Sequence, residues 1–304
     1  MAGELVADGA VDVEGAVPAD SVAVAEVAEA LDVVGSLSPS RAGDFLACPL
    51  LYRFRTVDKL PERTSPDAAR GTLVHKVLED LFDLPADDRT PASAEAMLEP
   101  TWASLVAADP DLADLFPEEG EAVAGWMVSC REVLARYFRL EDPRRLEPAE
   151  RELYLETVTG SRLQLRGIID RVDVAPDGSV RVVDYKTGRS PREGGEARAL
   201  FQLKFYGLLL WRLRGVVPRR LQLMYLGNGE IVHYEPDEQD LLATERKVEA
   251  LWRAIELART TGDWRPSRGP LCAWCDHQAL CPAWGGTPPP LPEPASALDR
   301  SVNG

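Results

Sequence analysis

Val182-Val183-Asp184-Tyr185-Lys186-Thr187-Gly188 is an apolar, β-branched run that ends in an acid, one spacer and a lysine, followed by a Thr-Gly turn. Strand periodicity puts Asp184 and Lys186 on one side of a sheet. A second acid, Asp170, stands upstream in Leu165-Arg166-Gly167-Ile168-Ile169-Asp170-Arg171-Val172-Asp173. Between the two acids lies Pro176-Asp177-Gly178-Ser179, a hairpin turn signal. A hairpin closed there brings Asp170 to Asp184. Two carboxylates and a lysine at adjoining strand ends make a place for a metal ion and a polarised water, a set suited to metal-assisted phosphodiester hydrolysis.

Working outward, Glu152–Val158 alternates as a strand, with further strands near 161–174 and 179–186. Residues 196–214 read as a buried helix. Gln202 and Tyr206, four apart, share one of its faces, and by themselves they read as ordinary helix packing. Strands near 220–226 and 230–235 turn at Gly227-Asn228-Gly229, and Asp237 caps a helix to about 260. Upstream, Ser38-Pro39, Ser65-Pro66 and Thr90-Pro91 each pair an N-cap with proline at the first helical position. Cys48-Pro49 interrupts the first of these helices. The second carries an apolar stripe of Val74, Val77, Leu78 and Leu81, with His75 beside it, one turn after Gly71. A lone helical histidine reads first as structural. Two acidic helices, Thr90 to about 108 and 118–140, are expected as an insertion or lid over about 85–145, with Cys130 packed inside it. Residues 1–36 are expected as a disordered acidic tail and 284–304 as a Pro-rich disordered tail, leaving one domain over 37–283.

The net charge of −16 is unevenly placed. Residues 1–40 carry eight acids and no Lys or Arg, whereas 151–220 carry fourteen Lys or Arg against eight Asp or Glu. A basic segment beside acidic metal ligands is compatible with a polyanionic substrate, and Arg53 and Arg55 are further candidates for phosphate contacts. No run approaches ~20 apolar residues, so no membrane span is expected. The first basic residue is Arg41, which argues against a secretory leader and makes the cytoplasm the expected location. No Gly-x4-Gly-Lys-Ser/Thr pattern occurs, so no helicase motor is expected within the chain.

Cys272-x2-Cys275-x5-Cys281-Pro282 is a metal-binding spacing. Structural zinc and an iron–sulfur cluster both require a fourth ligand. Cys48, also followed by proline, can supply it from the far end of the chain; His277 can supply it locally, as a Cys3His zinc site.

Taken together, Arg70-Gly-Thr-Leu-Val-His75, Gly167-Ile-Ile-Asp170-Arg-Val-Asp, Val183-Asp184-Tyr-Lys186-Thr-Gly, Gln202-Leu-Lys-Phe-Tyr206 and the divided cysteine set resemble the RecB-type branch of the PD-(D/E)XK nuclease superfamily. That branch includes the AddB nuclease domain and the iron–sulfur nucleases of CRISPR adaptation, and the resemblance covers about residues 37–283. It implies an α/β restriction-endonuclease-like core, with a central mixed β-sheet flanked by helices. It implies that His75, Asp170 and Asp184, with the Tyr185 carbonyl, bind Mg²⁺ or Mn²⁺, and that Lys186 activates the attacking water. Gln202 and Tyr206 would place the substrate or Lys186. Cys48, Cys272, Cys275 and Cys281 would hold a 4Fe-4S cluster in preference to zinc, leaving His277 out. The implied function is a metal-dependent DNA exonuclease of repair or recombination, acting on DNA with a free end or single-stranded region and with a separate helicase. Its competitors are a catalytically idle DNA-binding or scaffold subunit and a zinc protein unrelated to nucleases.

Overall fold

The computed structural model describes residues 33–116, 121–191 and 196–292. A six-stranded mixed sheet forms the centre. Its strands are β1 (Gly35–Leu37), β2 (Glu150–Val158), β3 (Leu163–Val174), β4 (Val180–Lys186), β5 (Arg220–Tyr225) and β6 (Glu230–Tyr234). β3 is the hub: β2 runs antiparallel along one edge, and the other edge is shared between β1, parallel at Leu163–Leu165, and β4, antiparallel at Arg171–Val174. β4 pairs parallel with β5, and β5 antiparallel with β6.

Seven helices of four or more α-helical residues surround the sheet among the described residues: α1 (Pro39–Ala47), α2 (Pro49–Tyr52), α3 (Pro66–Leu81), α4 (Pro91–Ala108), α5 (Glu121–Leu140), α6 (Glu196–Arg214) and α7 (Glu238–Thr261). The Ser38, Ser65 and Thr90 side chains each accept a backbone N–H at the start of α1, α3 and α4, with proline at the first position. Asp237 and Asp240 form a reciprocal capping box on α7. α1 stops at Cys48, whose extended backbone (φ −164, ψ 110) is the conformation that a following proline favours. After α2, a π-helical turn covers Arg53–Val57.

The alternation of β4 sorts the core into two layers. Val182 packs with residues of α6 and α7, including Phe205, Leu209 and Val248. Val183 and Tyr185 pack on the other side with Leu73 and Val77 of α3, Leu98 of α4 and Trp126, Cys130 and Tyr137 of α5. The helices expected as an insertion or lid are thus one of the two apolar layers flanking the sheet, and burial lifts the Cys130 thiol pKa to about 11.

The expected acidic tail lies mostly outside the described residues. Where it is described it differs, because Gly35 and Ser36 belong to β1 and pair with Leu163 and Gln164. Of the Pro-rich tail, residues 284–292 are described, and there the Arg53 guanidinium donates to the Pro289 carbonyl. Among the described residues no helix is long and apolar enough to cross a membrane.

Candidate active site

The site begins with the turn joining β3 to β4. Gly178, at φ +81, donates its N–H to the Ala175 carbonyl, and the Ala175 N–H bonds the Ser179 carbonyl. This is a three-residue loop of the kind that needs glycine at the left-handed position. It sets the register Arg171 opposite Val183, so Asp170 and Asp184 fall opposite each other one step further on. There the backbone ladder ends. The Asp170 carboxylate instead accepts the Tyr185 N–H at 2.6 Å. The expected meeting of the two acids takes place at this fork.

Asp184 projects toward α6. It is 1 % exposed. Its Oδ1 accepts from Gln202 Nε2 at 3.1 Å, and the same amide donates to the Tyr206 hydroxyl at 3.1 Å. Lys186 Nζ lies 2.7 Å from Asp184 Oδ2, as strand periodicity requires. Lys186 is the one partner of this buried oxygen among the described residues. Burial pushes the Asp184 carboxyl pKa up; Lys186 opposes that shift and the Asp170 charge adds to it. Burial also pushes the Tyr206 phenol up, keeping it a neutral hydroxyl.

His75 arrives from the opposite layer. Its Nε2 is 3.0 Å from the Tyr185 carbonyl oxygen, and its Nδ1 is 3.5 Å from Asp170 Oδ2. Burial disfavours its protonated form, but Asp170 and Asp184 outweigh burial and the pKa is raised. Gly71, one turn earlier, lies beside the turn after β4, where a methyl would make an ordinary contact 3.6 Å from Thr187 Oγ1.

Glu152 was not among the residues singled out in the sequence. Its carboxylate and ligand atoms of His75 and Asp170 lie within 4.8 Å of one another, the one such group among the described residues. In the β2–β3 register Arg151 pairs with Arg171 and Leu153 with Ile169, while Glu152 and Asp170, the pair between, drop out of the ladder. Both strands change face there. Leu153 and Ile169 pack with the α6 layer, whereas Arg151 reaches Glu79 and Asp83 and Arg171 reaches Glu141 and Tyr185. Glu152 has φ +44, a left-handed conformation costing about 1–3 kcal/mol for a residue other than glycine. Burial and the Asp170 charge push its carboxyl up to about 7. The sequence holds a signal for it: a turn centred near Ser161 places residue 152 opposite 170.

Behind the site, Arg171 is wholly buried and forks onto Glu141, with Asp173 at 3.1 Å and the Tyr185 hydroxyl at 2.6 Å. Arg181 also bonds Asp173, at 2.8 Å. Part of the basic segment is therefore spent inside the fold. Arg53 and Arg55, candidates for phosphate contacts, are also engaged: Arg53 is buried against Asp58 at 3.0 Å, and Arg55 pairs with Asp44 at 2.6 Å and Glu62 at 2.8 Å.

Cys48, Cys272, Cys275 and Cys281 line a separate cavity of about 110 Å³. Backbone N–H groups of Ser267 and Gly269 point at the Cys48 and Cys272 sulfurs, at 3.3 and 3.4 Å. Burial, reinforced by the other three thiols, lifts the Cys275 pKa. His277 is buried elsewhere, its Nε2 2.9 Å from Glu62 and its ring edge-on to Phe54.

The chain is similar to known proteins over most of its length. A family model of the PD-(D/E)XK nuclease superfamily matches residues 36–282. The gene 69 protein of Mycobacterium phage D29 is 26% identical over 274 residues, spanning 81% of this chain and 96% of the phage protein. The gene 69 protein of Mycobacterium phage L5 is 30% identical over 125 residues, 40% of this chain and 41% of its own. Among solved structures, one described as a putative exonuclease from Eubacterium rectale matches with a TM-score of 0.52 at 16% identity, over 88% of this chain and 94% of that one, a likeness of fold. Since the family match runs unbroken from β1 through the paired acids to the last cysteine, the chain belongs to the PD-(D/E)XK nuclease superfamily.

Proposed function

We propose that this chain is a metal-dependent DNA exonuclease of the RecB type, acting in repair or recombination on DNA with a free end or single-stranded region, and supplied with that DNA by a separate helicase. The observation that carries the hydrolytic reading is the Asp184–Lys186 pair, 2.7 Å apart, beside Asp170 at the fork of β3 and β4.

The donor set fits a hard divalent cation. His75 Nε2 and the Tyr185 carbonyl, 3.0 Å apart, have the separation of neighbouring ligands on an octahedral ion with bonds of about 2.1 Å. The buried Asp184 Oδ2, paired only with Lys186 among the described residues, has a second lone pair that a cation would take. His75, Asp170, Asp184 and the Tyr185 carbonyl would hold Mg²⁺ or Mn²⁺. When bound, the cation polarises the phosphate and makes water a competent nucleophile near neutral pH. The chain's own residues do the rest. Gln202 fixes the rotamer of Asp184, and Asp184 in turn aims the Lys186 ammonium. Lys186 then orients the attacking water and stabilises charge developing on the phosphate oxygens. Tyr206, buried against Gly167, holds the Gln202 amide in place through its hydroxyl.

We assign the cysteine cavity to a 4Fe-4S cluster. A single zinc with Zn–S bonds of about 2.3 Å needs its sulfurs about 3.8 Å apart. No three of these four thiols gather within 4.8 Å. An iron–sulfur cluster spreads its ligands further, and the N–H groups aimed at Cys48 and Cys272 suit thiolate ligands.

The test is degradation of linear and circular, single- and double-stranded DNA with Mg²⁺ or Mn²⁺. Linear DNA should be degraded and closed circles spared. Lys186→Ala should lower the rate at least about a hundredfold. Full activity in folded Lys186→Ala would overturn the assignment.

A further inference from the structure

We propose that Glu152 is a further ligand for the divalent cation, so that the site is completed from β2 as well as from β3, β4 and α3. The inference rests on the metal-dependent reading above. Three observations carry it. The Glu152 carboxylate shares a 4.8 Å neighbourhood with the His75 ring and the Asp170 carboxylate. It is half-buried, yet no described residue gives it a hydrogen bond or ion pair, because the cations beside it are committed elsewhere. Lys76 pairs with Glu79 and Asp80, and Arg151 with Asp83 and the Glu79 carbonyl. Finally, the adjoining Asp184 is nine-tenths buried and more, and its Oδ2 has the Lys186 ammonium, at 2.7 Å, as its one partner among the described residues.

Without a cation, Glu152 and Asp170 are two partly desolvated carboxylates near each other, and His75, already paired with Asp170, is the one basic side chain gathered with them. A doubly charged ion converts that repulsion into attraction. Carboxylate oxygens and one imidazole nitrogen suit Mg²⁺ and Mn²⁺. Glu152 also borders an open cavity of about 500 Å³ with Gly71, His75 and Glu79, through which a hydrated ion can enter.

The experiment needs no DNA. Mn²⁺ affinity is measured by titration calorimetry and by the electron paramagnetic resonance of free Mn²⁺, in the full chain and in Glu152→Gln, Glu152→Gly and Asp170→Asn. Glu152→Gln should weaken Mn²⁺ binding about tenfold or more. Glu152→Gly accepts the left-handed backbone without strain, so it should keep or raise the thermal midpoint while losing the same affinity. Wild-type affinity in both Glu152 variants, with binding lost in Asp170→Asn, would overturn the inference and leave the metal site standing. Equal Mn²⁺ behaviour in wild type and Asp170→Asn would remove the metal-dependent reading itself, and the role of Glu152 with it.

Discussion

At Gly167, β3 lies close against α6. A methyl group there would lie 2.9 Å from the Tyr206 ring and 3.2 Å from Leu209. The neighbouring atoms are packed on rigid elements, so they must shift. Gly167→Ala should therefore cost about 1–3 kcal/mol of stability, as overpacking does. It should also move Tyr206, and through the Gln202 amide disturb Asp184, lowering the nuclease rate about tenfold to a hundredfold in folded protein. Thermal unfolding together with the rate at saturating Mg²⁺ would check both halves. An unchanged rate would detach Tyr206 from the catalytic array.

At the scale of the element, the catalytic strands are held from behind by charge as well as by apolar packing. Arg171 on β3 binds Glu141, just past the end of α5, and the hydroxyl of Tyr185 on β4. Cutting one member of such a buried network leaves an uncompensated charge, which costs more than the pair contributes when whole. Glu141→Ala should destabilise the chain by about 3 kcal/mol, as read from denaturant unfolding. Because Tyr185 also offers its carbonyl to His75, Mn²⁺ affinity should fall with it. A double substitution, Glu141→Leu with Arg171→Met, removes both charges and should recover much of the stability while the affinity loss remains.

Across the whole molecule, the cysteine cavity brings together the two ends of the domain. Cys48 follows α1, and Cys272, Cys275 and Cys281 lie beyond α7, yet all four line one cavity. A shared cluster closing so long a loop restricts the unfolded chain as a cross-link does. Protein purified without oxygen should be brown and carry about four irons per chain. Cys48→Ser should lose the colour and lower the thermal midpoint of the nuclease domain as a whole. Cys130, buried in the α3–α5 layer, should be replaceable by serine without loss of iron. One zinc per colourless chain, with Cys48→Ser harmless, would remove the cluster from the proposal.

Elements whose signals are local were legible from the chain alone. Ser-Pro and Thr-Pro helix starts, the Asp177-Gly178 turn and the strand ending in Asp184-x-Lys186 each occupy a few neighbouring residues, and each forms as its local chemistry dictates. Because the turn is short, it also fixes the register that sets Asp170 against Asp184. What the sequence left open depended on contacts between distant segments. Whether His75 faces a core or a site followed from the packing of α3 on β4. Whether Cys48 or His277 stands beside the three clustered cysteines followed from how the chain ends meet, which sends His277 to Glu62 instead. Glu152 looked like one charged position in an alternating strand. Only the face change shared by β2 and β3 at the Glu152–Asp170 pair turns it toward His75, because a twist between paired strands is set by the packing on both sides of the sheet and not by either strand alone.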